Sequence, residues 1–234
     1  MRTANLKSTT DELGNGWWIG LLSTPLPMAG TTLLLAARWQ TIPARISIHW
    51  GLDGRPNGWA ERGIGSIFGL LFASFFMVIV FGVIGELIAR SSPGHEGRTA
   101  VIRTTRSVLL ACAWMVTILF CGTSLLPLTH DPSRLISLVA IVPIVFSMGM
   151  LGFVVFRWMQ MPEAVAAAQD STDPRFWKAG IVYYNREDSA LWVPKRFGFG
   201  YSLNFGRPVS WMLLGLILLV PFAIHFFVHA STVR

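Results

Sequence analysis

The sequence predicts an all-α integral membrane protein, a bundle of about five transmembrane helices with a small cytoplasmic module that contains a β-hairpin. Charged residues make up only 13% of the chain, about half of the roughly 25% found in soluble domains. The mean hydropathy is +0.53. A membrane-crossing helix needs about 20 mostly apolar residues, and five stretches reach that length. These stretches are Trp17–Ala37, Ile64–Ala89, Val108–Leu128, Leu135–Phe156 and Val209–His229.

The predicted spans divide the chain into four parts. They are a polar segment 1–16, a membrane domain 17–157 with an outer loop 38–63, an aromatic and basic module 158–208, and a last span with a short tail 209–234. The first span ends in small residues, as a cleaved secretory signal does, but sixteen polar residues precede it. Its apolar run is also longer than that of a typical signal peptide. We therefore expect a retained first span.

The distribution of lysine and arginine predicts the orientation. With five spans, thirteen of the nineteen basic residues fall on the side of the N-terminus and six on the other side. Basic loops stay in the cytoplasm, so we expect a multi-pass protein of the cell membrane with a cytoplasmic N-terminus and an extracytoplasmic C-terminus. Flanking basic residues also attract anionic headgroups. The net charge of +7 is thus explained by the lipid bilayer, and no nucleic-acid partner is predicted.

The outer loop contains the segment Ile46–Gly63, ISIHWGLDGRPNGWAERG. A short alternating stretch is followed by several glycine and asparagine turn signals, and two tryptophans flank these turns. We expect an ordered cap on the outer face. Tryptophan and arginine are common anchors of interfaces, so one interpretation is a recognition surface, and the other is an ordered loop without chemistry. The predicted partner-binding residues are His49, Trp50, Trp59 and Arg62.

The module before the last span reads FWKAGIVYYNREDSALWVPKRFGFGYSLNFGRP. Its uncharged stretches are too short for a further helical span. Ile181–Tyr184 and Leu191–Val193 are rich in β-branched and aromatic residues, and the polar turn Asn185–Ser189 separates them. This pattern predicts one β-hairpin. The residues expected to meet lipid headgroups or a soluble regulator are Tyr183, Tyr184, Lys195 and Arg196.

The stretch TIPARISIHWGLDGRPNGWAERG resembles the signature loop of the SdpI-like bacterial immunity membrane proteins, and 176–208 resembles a cytoplasmic module of the same group. The matching loop positions are Pro43, His49, Trp50, Gly54, Pro56, Trp59 and Arg62. Three positions depart from the pattern: Gly51 stands where asparagine is usual, Asn57 where aspartate is usual, and Arg62 where lysine is common. The resemblance implies a bacterial inner-membrane protein that protects its producer from a secreted toxin peptide and helps to hold a repressor at the membrane.

Four histidines fall on the predicted outer side, namely His49, His130, His225 and His229. The last two are four residues apart and share one helix face. Imidazoles that converge there would suit zinc or copper, whereas separate histidines at the interface would bind nothing. With a single i,i+4 pair as the only compact spacing, we predict no cofactor or metal.

Glu86 is the only predicted intramembrane carboxylate. An ionisable group at membrane depth is a functional candidate by default, and Glu86 is therefore a possible coupling carboxylate for transport. The alternative is an ion pair with Arg90, which lies one helical turn away.

The chain lacks the G-x-S-x-G and H-E-x-x-H motifs that mark common hydrolases. We predict a non-enzymatic membrane protein of the immunity or signalling type, which binds a secreted peptide outside and a soluble regulator inside. The alternatives are a small transporter or permease subunit, and a structural or metal-holding subunit of a larger complex.

Overall fold

The computed structural model describes residues 16–51, 55–90, 96–129, 132–160, 173–196, 201–215 and 218–219. The chain is mostly helical in these ranges, and it contains small β-hairpins. The helices are α1 (16–22), α2 (Pro25–Ala37), α3 (Ile64–Arg90), α4 (Glu96–Leu125), α5 (Pro132–Met159) and α6 (208–215).

Within the described ranges, three helical segments are long and apolar enough to cross a membrane. They are Gly16–Ala37, Ile64–Arg90 and Ile102–Leu128. The predicted fourth span lies within the helix α5, and Ile141–Arg157 is the part of its apolar stretch whose side chains are described. The predicted fifth span begins as α6, and most of it lies outside the described residues. The membrane character follows from the three long helices.

The first candidate span is interrupted at Ser23 and Thr24, which form a turn between α1 and α2. Pro25 follows as the first residue of α2. Proline has no backbone N–H and is favoured at this helix position. The Thr24 hydroxyl donates to the carbonyl of Leu21 at 2.7 Å. The sequence Thr-Pro therefore fixes a break inside an otherwise apolar segment.

The second candidate span is close to its prediction, since α3 ends one residue after the predicted Ala89. The third begins earlier than predicted, because α4 starts at Glu96 and continues through basic residues into the apolar stretch. A short 3₁₀ turn, Leu126–Leu128, ends it.

The strands form three antiparallel pairs. The first is the β1–β2 hairpin, made of β1 (Arg45–Trp50) and β2 (Pro56–Glu61). The others lie in the described part of the predicted module, residues 173–196 and 201–207, which we call the module from here on. They consist of β3 (Trp177–Lys178), β4 (Val182–Tyr183), β5 (Trp192–Pro194) and β6 (Tyr201–Leu203). β3 pairs with β4, and β5 pairs with β6.

The prediction of one hairpin between 181–184 and 191–193 is therefore wrong in its pairing. Both stretches contain strands, but each strand pairs with a different neighbour. The reason is that the intervening residues 185–190 are held by the side chain of Asn204 and do not form a hairpin turn.

The chain divides into two compact units. Among the described residues, one unit contains 16–18, 81–90, 96–110, 149–160, 173–196, 201–215 and 218, and so includes the module. The other contains 19–51, 55–80, 111–129, 132–148 and 219, and so includes the β1–β2 hairpin.

Candidate functional site

The β1–β2 hairpin has an irregular register that positions the predicted recognition residues. Ser47 pairs with Trp59, but His49 pairs with Gly58, so Ile48 is an extra residue on β1. A second shift leaves Asn57 as the extra residue on β2. Such bulges increase the local twist and redirect side chains. A Cβ atom on Gly58 would lie 2.8 Å from the Cβ of His49, and this close approach requires glycine.

The bulged region brings two polar side chains together. His49 is exposed, and its Nδ1 is hydrogen-bonded to Oδ1 of Asn57. Asn57 is one of the positions where the loop departs from the SdpI-like pattern. The departure therefore coincides with a direct contact to the predicted recognition histidine.

The two faces of the hairpin differ in exposure. Ile46 and Ala60 pair with each other and are both 4% exposed. On the other face, the guanidinium of Arg45 lies 5.4 Å from the ring centre of Trp59, and the Trp59 side chain is 44% exposed. A cation over an indole face is a favourable pair. The hairpin thus presents a large apolar ring beside a positive charge.

Arg62 clamps the base of the hairpin to the segment that precedes it. Its Nη1 donates to the carbonyls of Trp39 at 2.9 Å and Ile42 at 2.8 Å. Its guanidinium also lies 5.5 Å from the Trp39 ring centre, and that ring stacks on Phe68 of α3. Arg62, predicted to bind a partner, is therefore used by contacts within the chain.

Trp50 is the fourth predicted residue of this surface, and it is only half-exposed. Its Nε1 is buried and has no hydrogen-bond partner among the described residues. Of the four predicted residues, His49 and Trp59 are the ones that the hairpin exposes.

The module has a small aromatic core of its own. Trp177, Tyr183 and Val193 are each at most 7% exposed and pack together, with Phe176 and Ala190 at the edge. The Tyr183 hydroxyl donates to Oδ2 of Asp188 at 2.9 Å. Burial raises the pKa of the Tyr183 phenol, and the hydrogen bond and negative charge of Asp188 raise it further. Tyr183, predicted to bind a partner, is a core residue.

Asn204 organises the module and was not singled out by the sequence. The residue is fully buried. Its Nδ2 lies 2.8, 3.1 and 3.1 Å from the carbonyl oxygens of Asn185, Asp188 and Ala190. Its Oδ1 accepts from the backbone N–H groups of Asn185 and Gly206, each at 3.0 Å. A buried amide with partners on both sides fixes a loop that has no regular backbone pairing.

The other predicted module residues do not gather around Tyr183. Tyr184 is half-buried and accepts a hydrogen bond from Nε of Arg186 at 2.9 Å. Lys195 is exposed and Arg196 half-buried, and both follow β5. The tyrosine pair and the basic pair are thus in different parts of the module.

A charged cluster joins Glu86 to two arginines. Glu86 Oε1 is 2.8 Å from Nε of Arg90, which confirms the ion pair given as one alternative by the sequence. Its Oε2 is 2.8 Å from Nη2 of Arg106, which was not anticipated. Arg106 also donates to the carbonyl of Gly85 at 3.1 Å and lies 5.3 Å from the Trp17 ring centre. Both carboxylate oxygens are therefore paired, and a coupling role for Glu86 stays a prediction.

The predicted outer histidines are only partly described. His130, His225 and His229 lie outside the described residues. In the part of the chain that is described, no group of three or more His, Cys, Asp or Glu residues is placed to hold a metal ion. Convergence of the four histidines stays the alternative to the prediction of no metal.

Comparisons with protein families match the whole of the quoted loop stretch and the quoted module stretch from residue 186 onward. Residues 28–80 match a domain of unknown function (DUF1648), and this range includes the β1–β2 hairpin. Residues 186–211 match a family of unknown function (DUF5808), and this range includes β5, β6 and Asn204. No curated protein and no solved structure matches the chain. The chain is therefore similar to two uncharacterised families, over residues 28–80 and 186–211.

Proposed function

We propose that this chain is a non-enzymatic polytopic membrane protein of the immunity or signalling type, and that its β1–β2 hairpin binds a secreted peptide outside the cell. In this proposal the chain crosses the cell membrane five times, with the N-terminus and the module in the cytoplasm. Three apolar helices support the membrane assignment. The loop's resemblance to the SdpI-like immunity proteins supports the peptide ligand.

The observation that carries the proposal is the exposed Arg45–Trp59 pair on an ordered hairpin. Tryptophan and arginine dominate the binding energy of many interfaces. A side chain that is already fixed loses less conformational freedom when a ligand binds. The clamp formed by Arg62 and the buried contact of Ile46 with Ala60 hold the pair in place before any ligand arrives.

The chemistry of the pair indicates what a ligand would offer. The free edge and face of Trp59 suit an apolar or aromatic side chain. The guanidinium of Arg45 suits a carboxylate, such as an acidic residue or a peptide C-terminus. An amphipathic peptide with an acidic group next to an apolar residue would satisfy both.

The proposal is tested in cells that express the chain and are challenged with secreted membrane-active peptides. We expect expression to protect the cells. Removal of an interface anchor typically costs about 2 kcal/mol or more, roughly a thirtyfold loss of affinity. We therefore expect the Trp59→Ala variant to lose protection at peptide concentrations that the unchanged chain tolerates.

The matched control is Trp18→Ala, which removes another exposed tryptophan outside the hairpin. It should protect as well as the unchanged chain when both are present in equal amounts. Full protection by Trp59→Ala, or equal loss in both variants, would contradict recognition by the hairpin.

A further inference from the structure

The β1–β2 hairpin has two edges, and its ladder determines which backbone groups lie on them. The N–H of Arg62 donates to the carbonyl of Ala44 at 2.8 Å, and two residues further along the ladder Ile46 pairs with Ala60. Hydrogen-bonded and non-hydrogen-bonded pairs alternate in an antiparallel ladder. Both of these pairs are therefore hydrogen-bonded pairs. The residues next to them on each strand direct their N–H and C=O groups away from the other strand.

On β1 the outward-directed groups belong to Arg45 and Ser47. Each residue carries one N–H donor and one carbonyl acceptor, and within the described ranges of the chain neither backbone has a hydrogen-bond partner on this edge. Arg45 is exposed and Ser47 is half-buried. The row ends at the bulge at Ile48. The edge of β1 thus offers two donors and two acceptors that the hairpin itself does not use.

The edge of β2 is less open. Its outward-directed groups belong to Trp59 and Glu61, and the Glu61 carbonyl accepts from the Ser66 hydroxyl at 2.7 Å. The chain then enters α3 at Ile64, directly after this edge. An open strand edge is a template for pairing with another chain, and the edge of β1 fits that description better than the edge of β2.

The side chains along β1 indicate which kind of strand would fit. Paired residues direct their side chains to the same face of a sheet, so Arg45 and Ser47 share a face with Trp59. Arg45 lies over the Trp59 ring and has no carboxylate partner in the part of the chain that the structure describes. On the opposite face, Ile46 is 4% exposed. An added strand would therefore meet a free positive charge on one face and an apolar residue on the other.

We infer that the edge of β1 accepts an extended acidic peptide segment as a third strand, bound through the backbone of Arg45 and Ser47 with a carboxylate on the Arg45 guanidinium. The inference deepens the proposed function and rests on it for the secreted origin of the peptide. In strand addition, main-chain hydrogen bonds provide affinity and alternate side chains provide specificity. The segment that fits best has acidic residues on one face of its strand and apolar residues on the other.

The first experiment measures the binding of a synthetic probe to the full-length chain in detergent micelles. The probe is a hexapeptide of alternating glutamate and valine with blocked ends, and its backbone N–H groups are methylated one at a time. In an added strand, every second N–H faces β1 and the others face solvent. We expect saturable binding that weakens about fivefold or more on methylation at every second residue, with little change at the residues between.

The second experiment changes the protein edge with Ser47→Pro. Proline removes the outward N–H of residue 47, and it is tolerated at the edge of a sheet. We expect about fivefold weaker binding of the probe or more, while slow hydrogen exchange of the Ile46 and Ala60 amides shows that the hairpin is intact. Ser47→Ala is the matched control, because it keeps the N–H and should bind the probe as the unchanged chain does.

The third experiment tests the charge. A probe of alternating lysine and valine places like charge beside Arg45, and we expect it to bind about tenfold more weakly than the glutamate probe. In Arg45→Gln the two probes should bind with similar affinity. A preference for the glutamate probe that survives in Arg45→Gln would contradict the assignment of the carboxylate to this guanidinium.

No saturable binding of the glutamate probe, or equal losses at all methylated positions, would overturn the inference. Unchanged binding in Ser47→Pro would also overturn it, and a dimer that becomes a monomer in that variant would then identify the edge as a contact between two copies. These failures are distinguishable from failure of the proposed function. If the secreted peptide bound through side chains alone, Trp59→Ala would still abolish protection while the methylation pattern would be absent.

Discussion

The β1–β2 hairpin and the module are both small β elements joined to apolar helices, but they are stabilised in opposite ways. The hairpin is clamped by a charged side chain, Arg62, which binds backbone carbonyls and stacks on Trp39. The module is held by the neutral amide of Asn204, which is fully buried among five backbone groups. The two elements also place their aromatic residues differently, with Trp59 exposed and Trp177 buried.

This difference explains which residues remain for binding. An arginine clamp at the base of the hairpin leaves the Trp59 and His49 side chains exposed. In the module, the large aromatic residues are used for a core that is otherwise too small to be stable. Among the described side chains that the module exposes is the aliphatic Ile181. Aromatic residues therefore indicate a surface in one element and a core in the other.

The largest expected effect follows from removing the amide of Asn204. Asn204→Asp keeps the shape of the side chain but replaces its donors with a carboxylate. Carbonyl groups left without a donor cost about 1–3 kcal/mol each, and more beside a charge. We expect the module to lose about 3 kcal/mol or more of stability, with fast hydrogen exchange of the amides in β4, β5 and β6.

The β1–β2 hairpin serves as an internal reference in the same measurement, because its amides should exchange as slowly in Asn204→Asp as in the unchanged chain. Ser189→Ala is the matched control, since Ser189 is an exposed polar residue of the same loop region. If Asn204→Asp left β4 to β6 protected, the buried amide would not be what organises the module.

The second prediction concerns the hairpin and is smaller. Arg62→Lys keeps the charge, but an ammonium group lacks the planar face that stacks on Trp39 and the fork that reaches two carbonyls. We expect a loss of about 2 kcal/mol, roughly thirtyfold faster opening of β1 and β2 by hydrogen exchange. The module should be unchanged.

Arg38→Lys makes the same chemical change at an exposed arginine near the hairpin and should have no effect on exchange. Equal protection of β1 and β2 in Arg62→Lys and in the unchanged chain would show that the clamp is dispensable. Arg62 would then be available for a partner, as the sequence predicts.

Helical segments were predictable because apolar runs are local signals. Ile64 was correctly predicted as the first residue of α3. The interruption before Pro25 was not predicted, although proline lacks the N–H that a continuous helix uses there. β pairing was less predictable. Strands of two or three residues carry little pattern. Val182–Tyr183 pairs with Trp177–Lys178, and Tyr183 also forms a bridge with Asn204, some twenty residues away.

The side-chain partners were the least predictable part of the site. Glu86 and Arg90 are one helical turn apart, so their ion pair could be read from spacing. Arg106 is twenty residues from Glu86, and no local pattern links them. Gly85 was the available signal, because a Cβ atom there would lie 2.4 Å from the Trp17 ring. A glycine inside an apolar helix often marks such a close approach.

The smallest expected effect is the pH dependence of the module's stability. It arises from the buried phenol of Tyr183, and the exposed surface of the hairpin has no counterpart to this buried phenol. The pKa of Tyr183 is raised from the ordinary value of 10.0 by burial and by Asp188. The folded module therefore binds the phenolic proton more tightly than the unfolded chain does. Its stability should be constant below pH about 10 and should fall as the pH rises from the unfolded toward the folded pKa.

Carbon NMR of labelled tyrosine rings, assigned with Tyr→Phe variants, measures this pKa directly. We expect Tyr183 to titrate above its ordinary value, and Asp188→Asn to lower that pKa because the neighbouring charge is lost. In Tyr183→Phe, proteolysis of the module should no longer increase across this alkaline range. A normal pKa for Tyr183 would mean that water reaches the phenol. The module would then lack the closed aromatic core that distinguishes it from the hairpin.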